Sequence, residues 1–433
     1  MKRVLIISRQ RLIGATNGSS AYLIGLARAI REAGMEPHLL QPSPGIMGRI
    51  PFFRTHTDVG AFASHKVRGV ARLRRWFVSR DPAVWRDAAV GAARGLARRA
   101  GFKGDWSRDR PRPYAIAAEW SEADREWLRT EAGGRDWDVV IADYAFQSEA
   151  FTVLGTPRAR SAIIMHDLFH ARPASGEGGE KDSVALLTRN EELAMLAKAG
   201  TVIAIQQEEA AFLREALPMS RIIIAPATHE PDPPATPGDP LRLLFVGSRT
   251  APNTHGLGWF LERCWPMLKA ASPATRLDVA GTVCTDFSRR VPDGVRLLGL
   301  VPELAPHYAC AGIVISPLRF GSGLKIKLIE ALAKGRPVVA TPVTLQGVAE
   351  TCGQAVIEAE SAEGFVAGIV ALQRSEELRM RLSIDALRVV TEHFAPLSAH
   401  RDFRAWLQDA ANGSDGPGRL LPPDASAPIS CFQ

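Results

Sequence analysis

Short apolar runs alternate with stretches of helical spacing along this chain, and this alternation limits the possible folds more than any other feature. The first run, residues 4–8, begins with four consecutive apolar residues, as expected for a strand buried on both faces of a parallel sheet. Apolar residues then recur at helical spacing from Tyr22 to Ile30, Gly34 ends that pattern, and a second apolar run follows at 38–40. Strand, helix and strand in this order form the unit of a doubly wound parallel sheet. The sequence therefore predicts an α/β protein.

The alternation occurs in two series, which predict two domains. Further strands are expected near 138–143, 161–165, 202–205 and 221–225, and then near 243–246, 276–280, 295–298, 312–316 and 337–341. Residues 229–240 read HEPDPPATPGDP, and because proline continues neither a helix nor a central strand, they predict an extended linker. We expect domains at 1–228 and 241–392. A C-terminal helix at 393–411 should pack back on the first domain, and residues 412–433, rich in Gly, Pro and Ser, should form a flexible tail.

Composition indicates a globular protein of the cytoplasm. Hydrophobic residues make up 46% of the chain and charged residues 23%, which is unlike a disordered or fibrous chain. The five cysteines form no Cys-x-x-Cys pair, so neither a zinc site nor a redox motif is predicted, and a reduced compartment fits them. The apolar run at 4–7 is shorter than a signal-peptide core, and no run approaches the ~18 residues of a membrane span. We expect contact with a membrane, if any, to be peripheral and at its inner face.

The segment 45–113 is strongly basic. It contains 16 lysines and arginines against 5 aspartates and glutamates, whereas the net charge of the whole chain is only +7. Aromatic residues are interspersed with these cations: Phe52, Phe53, Phe62, Trp76, Phe77, Trp85, Phe102 and Trp106. This pattern suits an anionic membrane surface or a lipid-diphosphate acceptor, and it also suits a solvated, arginine-rich helical face. No nucleic-acid-binding motif accompanies the charge, so nucleic acid is not expected as a partner.

A glycine-rich loop in the second series predicts a phosphate site. Gly321, Ser322 and Gly323 follow the strand expected at 312–316 and precede a helix expected at 324–334. Unpaired backbone N–H groups and the positive end of that helix can bind an anion. Lys325 and Lys327 add the charge that a metal would otherwise supply, so no metal is expected.

Glu330 lies three residues after Lys327, on the same side of that helix. Its carboxylate could accept hydrogen bonds from the paired hydroxyls of a ribose. It could equally form a surface ion pair with Lys327, and the local sequence leaves both interpretations open.

The second half of the chain, at 241–350, resembles retaining family 4 glycosyltransferases of the GT-B fold, of the glycosyl transferases group 1 type. The resemblance rests on stretches at 245–247, 252–256, 259–260, 265–266, 277–281, 294–299 and on GSGLKIKLIEALAKGRPVVAT at 321–341. It implies two Rossmann-like domains that face a cleft. It also implies transfer of a sugar, with retention, from a nucleotide sugar to the hydroxyl of a saccharide or lipid-linked saccharide acceptor.

The resemblance also implies roles for particular residues of the second half. Glu330 matches the final glutamate of a paired-glutamate motif that holds the nucleotide ribose. The other glutamate would fall at Ser322, so the donor sugar ring is expected to contact Ser322 or the backbone of Gly321 and Gly323 instead. Arg249 takes the place of basic residues that hold the diphosphate. The donor-binding residues predicted are Gly18, Gly247, Arg249, Asn253, Ser322, Gly323, Leu324, Lys325, Lys327 and Glu330.

Three residues of the first half have candidate roles at the cleft. Gly18 would let a helix N-terminus approach the donor phosphates or the acceptor, although an ordinary strand-to-helix turn explains it equally well. His166 follows a strand where parallel sheets deliver residues to a cleft, and relatives often carry a histidine beside the reacting sugar. Asp143 ends another strand and is a weaker candidate for a base that acts on the acceptor hydroxyl.

These features favour a glycosyltransferase of bacterial surface-polysaccharide or glycolipid synthesis. A nucleotide-sugar epimerase of the same fold and a non-catalytic nucleotide-sugar-binding protein are the alternatives, and the serine at position 322 keeps the latter open.

Overall fold

The computed structural model describes residues 1–102, 104, 115–171, 187–234, 236–287, 291–321 and 325–413. The loop residues Ser322, Gly323 and Leu324, positions 103 and 105–113 of the basic segment, and most of the predicted tail lie outside this part. The strands are β1 (Arg3–Ile7), β2 (Glu36–Gln41), β3 (Phe52–Arg54), β4 (Ser64–Val67), β5 (Val70–Leu73), β6 (Trp76–Ser79), β7 (Val139–Asp143), β8 (Ser161–Ile164), β9 (Thr201–Ala204), β10 (Arg221–Ile224), β11 (Asp239–Val246), β12 (Arg276–Ala280), β13 (Val295–Gly299), β14 (Ala311–Ser316), β15 (Val338–Ala340) and β16 (Val356–Glu358).

The helices follow the strands of both sheets. They are α1 (Gly18–Glu32), α2 (Pro82–Arg99), α3 (Glu122–Ala132), α4 (Glu149–Leu154), α5 (Arg189–Leu196), α6 (Gln207–Ala216), α7 (Ala251–Trp259), α8 (Trp265–Ala271), α9 (Cys284–Phe287), α10 (Ala305–Cys310), α11 (Ile326–Ala333), α12 (Pro342–Leu345), α13 (Ala349–Cys352), α14 (Ala362–Arg374), α15 (Glu376–Val389), α16 (Pro396–Ala399) and α17 (Arg401–Asn412). None of the helices in the described ranges combines the length and apolar composition needed to cross a bilayer.

The first domain is built on a seven-stranded sheet. Its strand order is β10-β9-β8-β7-β1-β2-β4, and all neighbouring strands are parallel. Val4 and Ile6 pack into one buried cluster, and Leu5 and Ile7 pack into another on the opposite face, because successive side chains of a strand point to opposite faces. Burial on both faces explains why these strands are uninterrupted apolar runs.

The second domain is built on a six-stranded parallel sheet of order β13-β12-β11-β14-β15-β16. The single helix predicted at 256–268 is a longer helical segment in which a π-helical stretch at Phe260–Cys264 separates α7 from α8. Pro266 lies in the first turn of α8. Proline has no N–H to donate to the preceding turn, so the regular α-helical ladder is interrupted there.

The last described helix returns to the first domain. Phe403, Trp406 and Leu407 of α17 are buried in the same cluster as Val4 and Ile6 of β1. Burying three large apolar side chains contributes several kcal/mol of stability. The second domain therefore lies between two segments of chain that are anchored on the first.

The basic segment forms a small antiparallel sheet that sequence analysis did not resolve. Strands β3, β6 and β5 pair in that order, while β4 extends the main sheet beside β2. Phe53 and Phe77 stack at 5.3 Å on the inner face of the small sheet and anchor a separate apolar cluster. Phe52 and Trp76 are about half exposed. The solvated, arginine-rich helical face that was one interpretation of the basic segment describes only α2, since the preceding part forms strands.

Candidate active site

The switch points of both sheets lie where the candidate residues cluster. In the first sheet the strand order reverses between β1 and β7, and in the second between β11 and β14. Ligands of doubly wound sheets bind outside the carboxyl ends of the strands at such points. Asp143 ends β7, and the glycine-rich loop follows β14.

The two switch points meet across the interface between the domains. A Cβ atom built on Gly18, the first residue of α1, would lie 2.7 Å from Cδ1 of Ile326, the first residue of α11. The N-termini of these two helices therefore meet, and a side chain at position 18 would displace the end of the Ile326 side chain. Asn17 caps α1 and accepts from Ser20 N at 2.9 Å. Gly18 thus has a close-packing role, and its predicted contact with donor or acceptor stays a prediction.

His166 and Asp143 form a buried pair, although they are 23 residues apart in sequence. Nε2 of His166 lies 2.7 Å from Oδ1 of Asp143. The other carboxylate oxygen accepts from Ser8 Oγ at 2.5 Å and from Gln10 Nε2 at 2.8 Å. Since an ionised carboxylate only accepts hydrogen bonds, Nε2 of His166 carries a proton, and in the neutral ring Nδ1 is then an acceptor.

The environment of Asp143 bears on the role expected for it. Its side chain is completely buried and is bound to Ser8, Gln10 and His166. A carboxylate so enclosed offers no free surface to an acceptor hydroxyl, so these contacts give no support to Asp143 as a base, and that role stays a prediction. Asp143 fixes the tautomer and the orientation of His166.

Two tyrosines that sequence analysis did not single out hold the ring of His166. The ring of Tyr144 stacks on it with centroids 4.0 Å apart, and the ring of Tyr22 meets its edge at 5.3 Å. Tyr144 has a positive φ of 72°, which costs ~1–3 kcal/mol for a residue other than glycine. Its hydroxyl donates to Ser19 Oγ at 2.9 Å. The strained backbone and this hydrogen bond together place the ring on His166.

The loop before α11 carries the cations predicted to bind phosphate. Gly321 has a φ of 131°, a conformation that side chains disfavour, and Lys325 Nζ donates to its carbonyl oxygen at 3.3 Å. Burial lowers the pKa of Lys325 to about 8, although the negative charges of Asp167 and Glu209 raise it in part. Because both carboxylates belong to the first domain, Lys325 faces the interface between the domains.

Lys327 and Glu330 form the ion pair that sequence analysis kept as an alternative. Lys327 Nζ lies 2.5 Å from Glu330 Oε2, with 51% and 15% of the two side chains exposed. The charges of both residues also act on the buried His229 of the linker, whose pKa is lowered mainly by burial. The pair is therefore near the junction of the domains. A ligand that offers hydroxyls to the carboxylate and phosphates to the ammonium group could replace it.

The first loop of the second domain places Gly247 beside Asn253, since a Cβ atom on Gly247 would lie 3.2 Å from Cγ of Asn253, whereas Arg249 pairs elsewhere. A Cβ atom on Gly247 would lie 2.8 Å from the ring of Phe245, so this glycine permits close packing. Asn253 Nδ2 donates to Ser248 O at 3.0 Å and fixes the loop. Arg249 is 66% exposed and pairs with Asp286 at 2.6 Å. Its binding to a diphosphate would require a change of partner and stays a prediction.

Glu209 and Gln206 complete the interface and were missed. Burial raises the pKa of Glu209 to about 8, with a hydrogen bond to Gln206 opposing and the charges of Asp167, Glu192 and Glu208 adding to that shift. A Cβ atom on Gly347 of the second domain would overlap the side-chain oxygen of Gln206. The sequence signal available was their position at the start of a predicted helix after β9, which is again a strand carboxyl end. Within the described ranges, no group of three or more His, Cys, Asp or Glu residues is arranged to hold a metal ion.

Comparison with known proteins assigns the class of this architecture. Sucrose-phosphate synthase from Thermosynechococcus elongatus superposes with a TM-score of 0.62 at 14% identity, over 95% of this chain and 100% of that one. TarM of S. aureus gives 0.64 at 10% identity over 94% and 99%, and HepE of Anabaena in complex with UDP gives 0.58 at 12% identity over 94% and 100%. The two facing parallel-sheet domains have the GT-B fold of these proteins.

The family match lies in the second domain. Residues 240–375 match the family described as Glycosyl transferases group 1, so the chain carries such a domain on a GT-B fold. A Klebsiella pneumoniae protein, described as an uncharacterized 44.6 kDa protein in the cps region, is 24% identical over 163 residues. That match covers 35% of this chain and 42% of the relative, so the chain spans about two fifths of the length of the curated relative it matches.

Proposed function

We propose that this protein is a retaining, metal-independent glycosyltransferase that moves a sugar from a nucleotide sugar to an acceptor hydroxyl. One observation carries the proposal. Lys325, beside the N-terminus of α11, is half-buried and interacts electrostatically with Asp167 and Glu209 of the first domain. A diphosphate between the two domains would meet this cation and the positive end of the helix together.

The donor would be bound mainly by the second domain. Lys325 and Lys327 neutralise the diphosphate, and Glu330 exchanges its ion pair with Lys327 for the hydroxyls of the ribose. A uridine nucleotide is the first candidate, because HepE of Anabaena and TarM of S. aureus have solved structures in complex with UDP. Ser322 and Gly323 would contact the donor sugar, in the place where relatives of the resembled family carry a glutamate.

The proposed reaction is a front-face displacement. The bond between the anomeric carbon and the donor phosphate oxygen breaks, and the acceptor oxygen bonds to the same face of that carbon. The proton of the acceptor hydroxyl passes to the leaving phosphate oxygen. Cations already fixed at the site stabilise the leaving charge without reorganisation, and His166, oriented by Asp143, hydrogen-bonds the reacting sugar through Nδ1.

The acceptor would be a saccharide or a lipid-linked saccharide of bacterial surface-polysaccharide or glycolipid synthesis. The cps-region relative supports this pathway. The exposed aromatic residues and cations of 45–102 support a site of action at the inner face of an anionic membrane. The protein would then be cytoplasmic and peripheral.

A thermal-shift screen with UDP, GDP, ADP and their sugars tests donor binding, because a ligand of the native state raises the melting temperature. The nucleotide found is then titrated into Lys327→Ala and Glu330→Gln, for which we expect affinity to fall ~10-fold, equivalent to ~1.4 kcal/mol. Unchanged nucleotide affinity in both variants would exclude Lys327 and Glu330 from the donor site. Release of nucleoside diphosphate that requires an acceptor identifies a transferase, since an epimerase needs none and a binding protein turns over nothing.

A further inference from the structure

A second cation-lined cavity lies in the first domain, at the edge of the small antiparallel sheet. It has a volume of about 390 Å³ and is lined by Arg54, Thr55, His56, Thr57 and Arg75. Two guanidinium groups, a histidine and two hydroxyls surround it, and no carboxylate lines it. Such a cavity selects for negative charge.

Backbone hydrogen bonds hold the two walls of the cavity together. Thr55 N donates to Arg75 O at 2.8 Å, and Arg75 Nε donates back to Thr55 O at 2.8 Å. This reciprocal contact leaves the terminal nitrogens of Arg75 for a ligand. In the described part of the chain, no carboxylate pairs with Arg54 or Arg75. Arginine offers a planar fork of donors that matches the oxygens of phosphate and carboxylate groups.

Asp58, the acidic residue closest in sequence to Thr57, is already hydrogen-bonded. Asp58 accepts from Ala15 N at 2.8 Å through one oxygen and from Val59 N at 2.9 Å through the other. Its carboxylate therefore holds the loop between β1 and α1 against the cavity. It does not neutralise the two arginines directly.

The cavity borders the same loop that supports the buried pair at the cleft. His56 N donates to Ile13 O at 2.7 Å, and a Cβ atom on Gly14 would lie 2.8 Å from the side chain of His56. Four residues earlier, Gln10 donates to Asp143, which binds His166. The loop at residues 10–14 therefore connects the wall of the cavity to that hydrogen-bonded group.

We propose that this cavity binds an oxyanion carried by the acceptor, and so serves as an acceptor subsite. The inference rests on the proposed function, because it assumes that the acceptor hydroxyl approaches His166. Two sources share the required chemistry, namely a lipid-linked diphosphate and a uronic-acid carboxylate. Phe52 lies on the same face of β3 as Arg54, and Trp76 of β6 lies directly opposite Arg54. These exposed rings would adjoin the lipid part of the first source.

The test compares binding of defined probes by isothermal titration calorimetry. The probes are farnesyl diphosphate, a glucuronate-containing disaccharide and a neutral disaccharide. The test variant is Arg54→Gln/Arg75→Gln. A matched control, Arg74→Gln/Arg80→Gln, removes the same charge from exposed positions that do not line the cavity. Arg54→Gln alone is measured too, because Arg54 is exposed and its loss leaves the backbone contact of Arg75 intact.

We expect the test variant to lose at least ~10-fold in affinity for one anionic probe, Arg54→Gln to lose part of that, and the matched control to retain it. The anionic probe whose affinity falls identifies the source of the oxyanion. The affinity of the neutral disaccharide should be the same for the wild type and every variant. Equal loss in the matched control, or no binding of either anionic probe to the wild type, would overturn the subsite. Loss in Lys327→Ala but not in the test variant would place the probe at the donor site and also overturn it. Nucleotide binding, measured separately on Lys327→Ala, reports on the proposed function alone.

Discussion

Replacement of Asp143 by asparagine is the most informative change at the first-domain side of the cleft. Asp143 is fully buried, and its Oδ1 receives the Nε2–H of His166 at 2.7 Å. Asparagine has the same shape but offers one carbonyl oxygen and one NH₂ group. If the carbonyl keeps the bonds from Ser8 and Gln10, the NH₂ group faces His166. Two donors then oppose each other, so the ring must move its proton to Nδ1 and accept at Nε2.

The size of the effect follows from these contacts. Hydrogen bonds to a charged group contribute about 1.5–3 kcal/mol and neutral ones about 1, so three weakened bonds, partly retained, should lower the free energy of unfolding by ~1–3 kcal/mol. The altered tautomer removes the acceptor that His166 presents through Nδ1. Since one positioned acid or base contributes ~10²–10⁴-fold to a rate, we expect kcat to fall by at least ~10²-fold. Nucleotide affinity should change little, because the donor lies mainly on the second domain.

Three measurements check this prediction. Nitrogen-15 NMR reports the tautomer of His166, steady-state kinetics with donor and acceptor gives kcat, and calorimetry gives the nucleotide affinity. Asp138→Asn is the matched control, since Asp138 lies next to the other end of β7 and accepts from Arg3 N at 2.7 Å, a bond that asparagine can also accept. A folded Asp143→Asn protein with the shifted tautomer and wild-type kcat would refute the reasoning.

Two further predictions concern the interface and the basic segment. The pKa of Glu209 is raised to about 8 in the folded protein, whereas in the unfolded chain this carboxyl group has an ordinary pKa of ~4.5. Between these two pH values the folded state binds more protons than the unfolded state, so the free energy of unfolding falls as pH rises. Glu209→Gln should flatten that decline, giving a melting temperature similar to wild type at pH ~5 and higher by ~4 °C at pH ~8; parallel melting curves of the two proteins across this range would contradict it. Phe52→Ser/Trp76→Ser should weaken binding to phosphatidylglycerol vesicles, measured by co-sedimentation, by ~10-fold. The control Ile384→Ser, at a 64% exposed position of the second domain, should bind like the wild type. Equal co-sedimentation of the wild type and both variants would exclude Phe52 and Trp76 as the membrane contact.

The two main sheets were predictable because their signal is local. Strands buried on both faces are continuous apolar runs, and each run of the second series from 243 to 341 coincides with a strand. The strands of the small sheet are three or four residues long and read FFR, VARL and WFVS, with no regular alternation of polar and apolar residues. Their pairing depends on partners up to about 25 residues away, and a short run gives no sign of which partner it will find.

Local sequence signals could not predict the parts played by Glu209, Tyr144 and Asp143. The helical spacing around Glu209 is the same whether it faces solvent or is buried, and it is mainly burial in the folded chain that raises its pKa. Tyr144 is identified only by its backbone conformation and by the ring it contacts. Asp143 was found at a strand end, but its enclosure by Ser8, Gln10 and His166 arises from three separate segments.

Two parallel sheets and a glycine-rich loop before α11 follow from local sequence, because apolar periodicity and strand-to-helix turns are properties of neighbouring residues. Local sequence also indicates which strand ends share an edge, since parallel strands end on the same side. Which of those side chains are buried, which are hydrogen-bonded to one another and which face the other domain depends on the packing of the folded chain. Burial and charge pairing depend on segments distant along the chain, and these set the protonation and orientation on which chemistry depends.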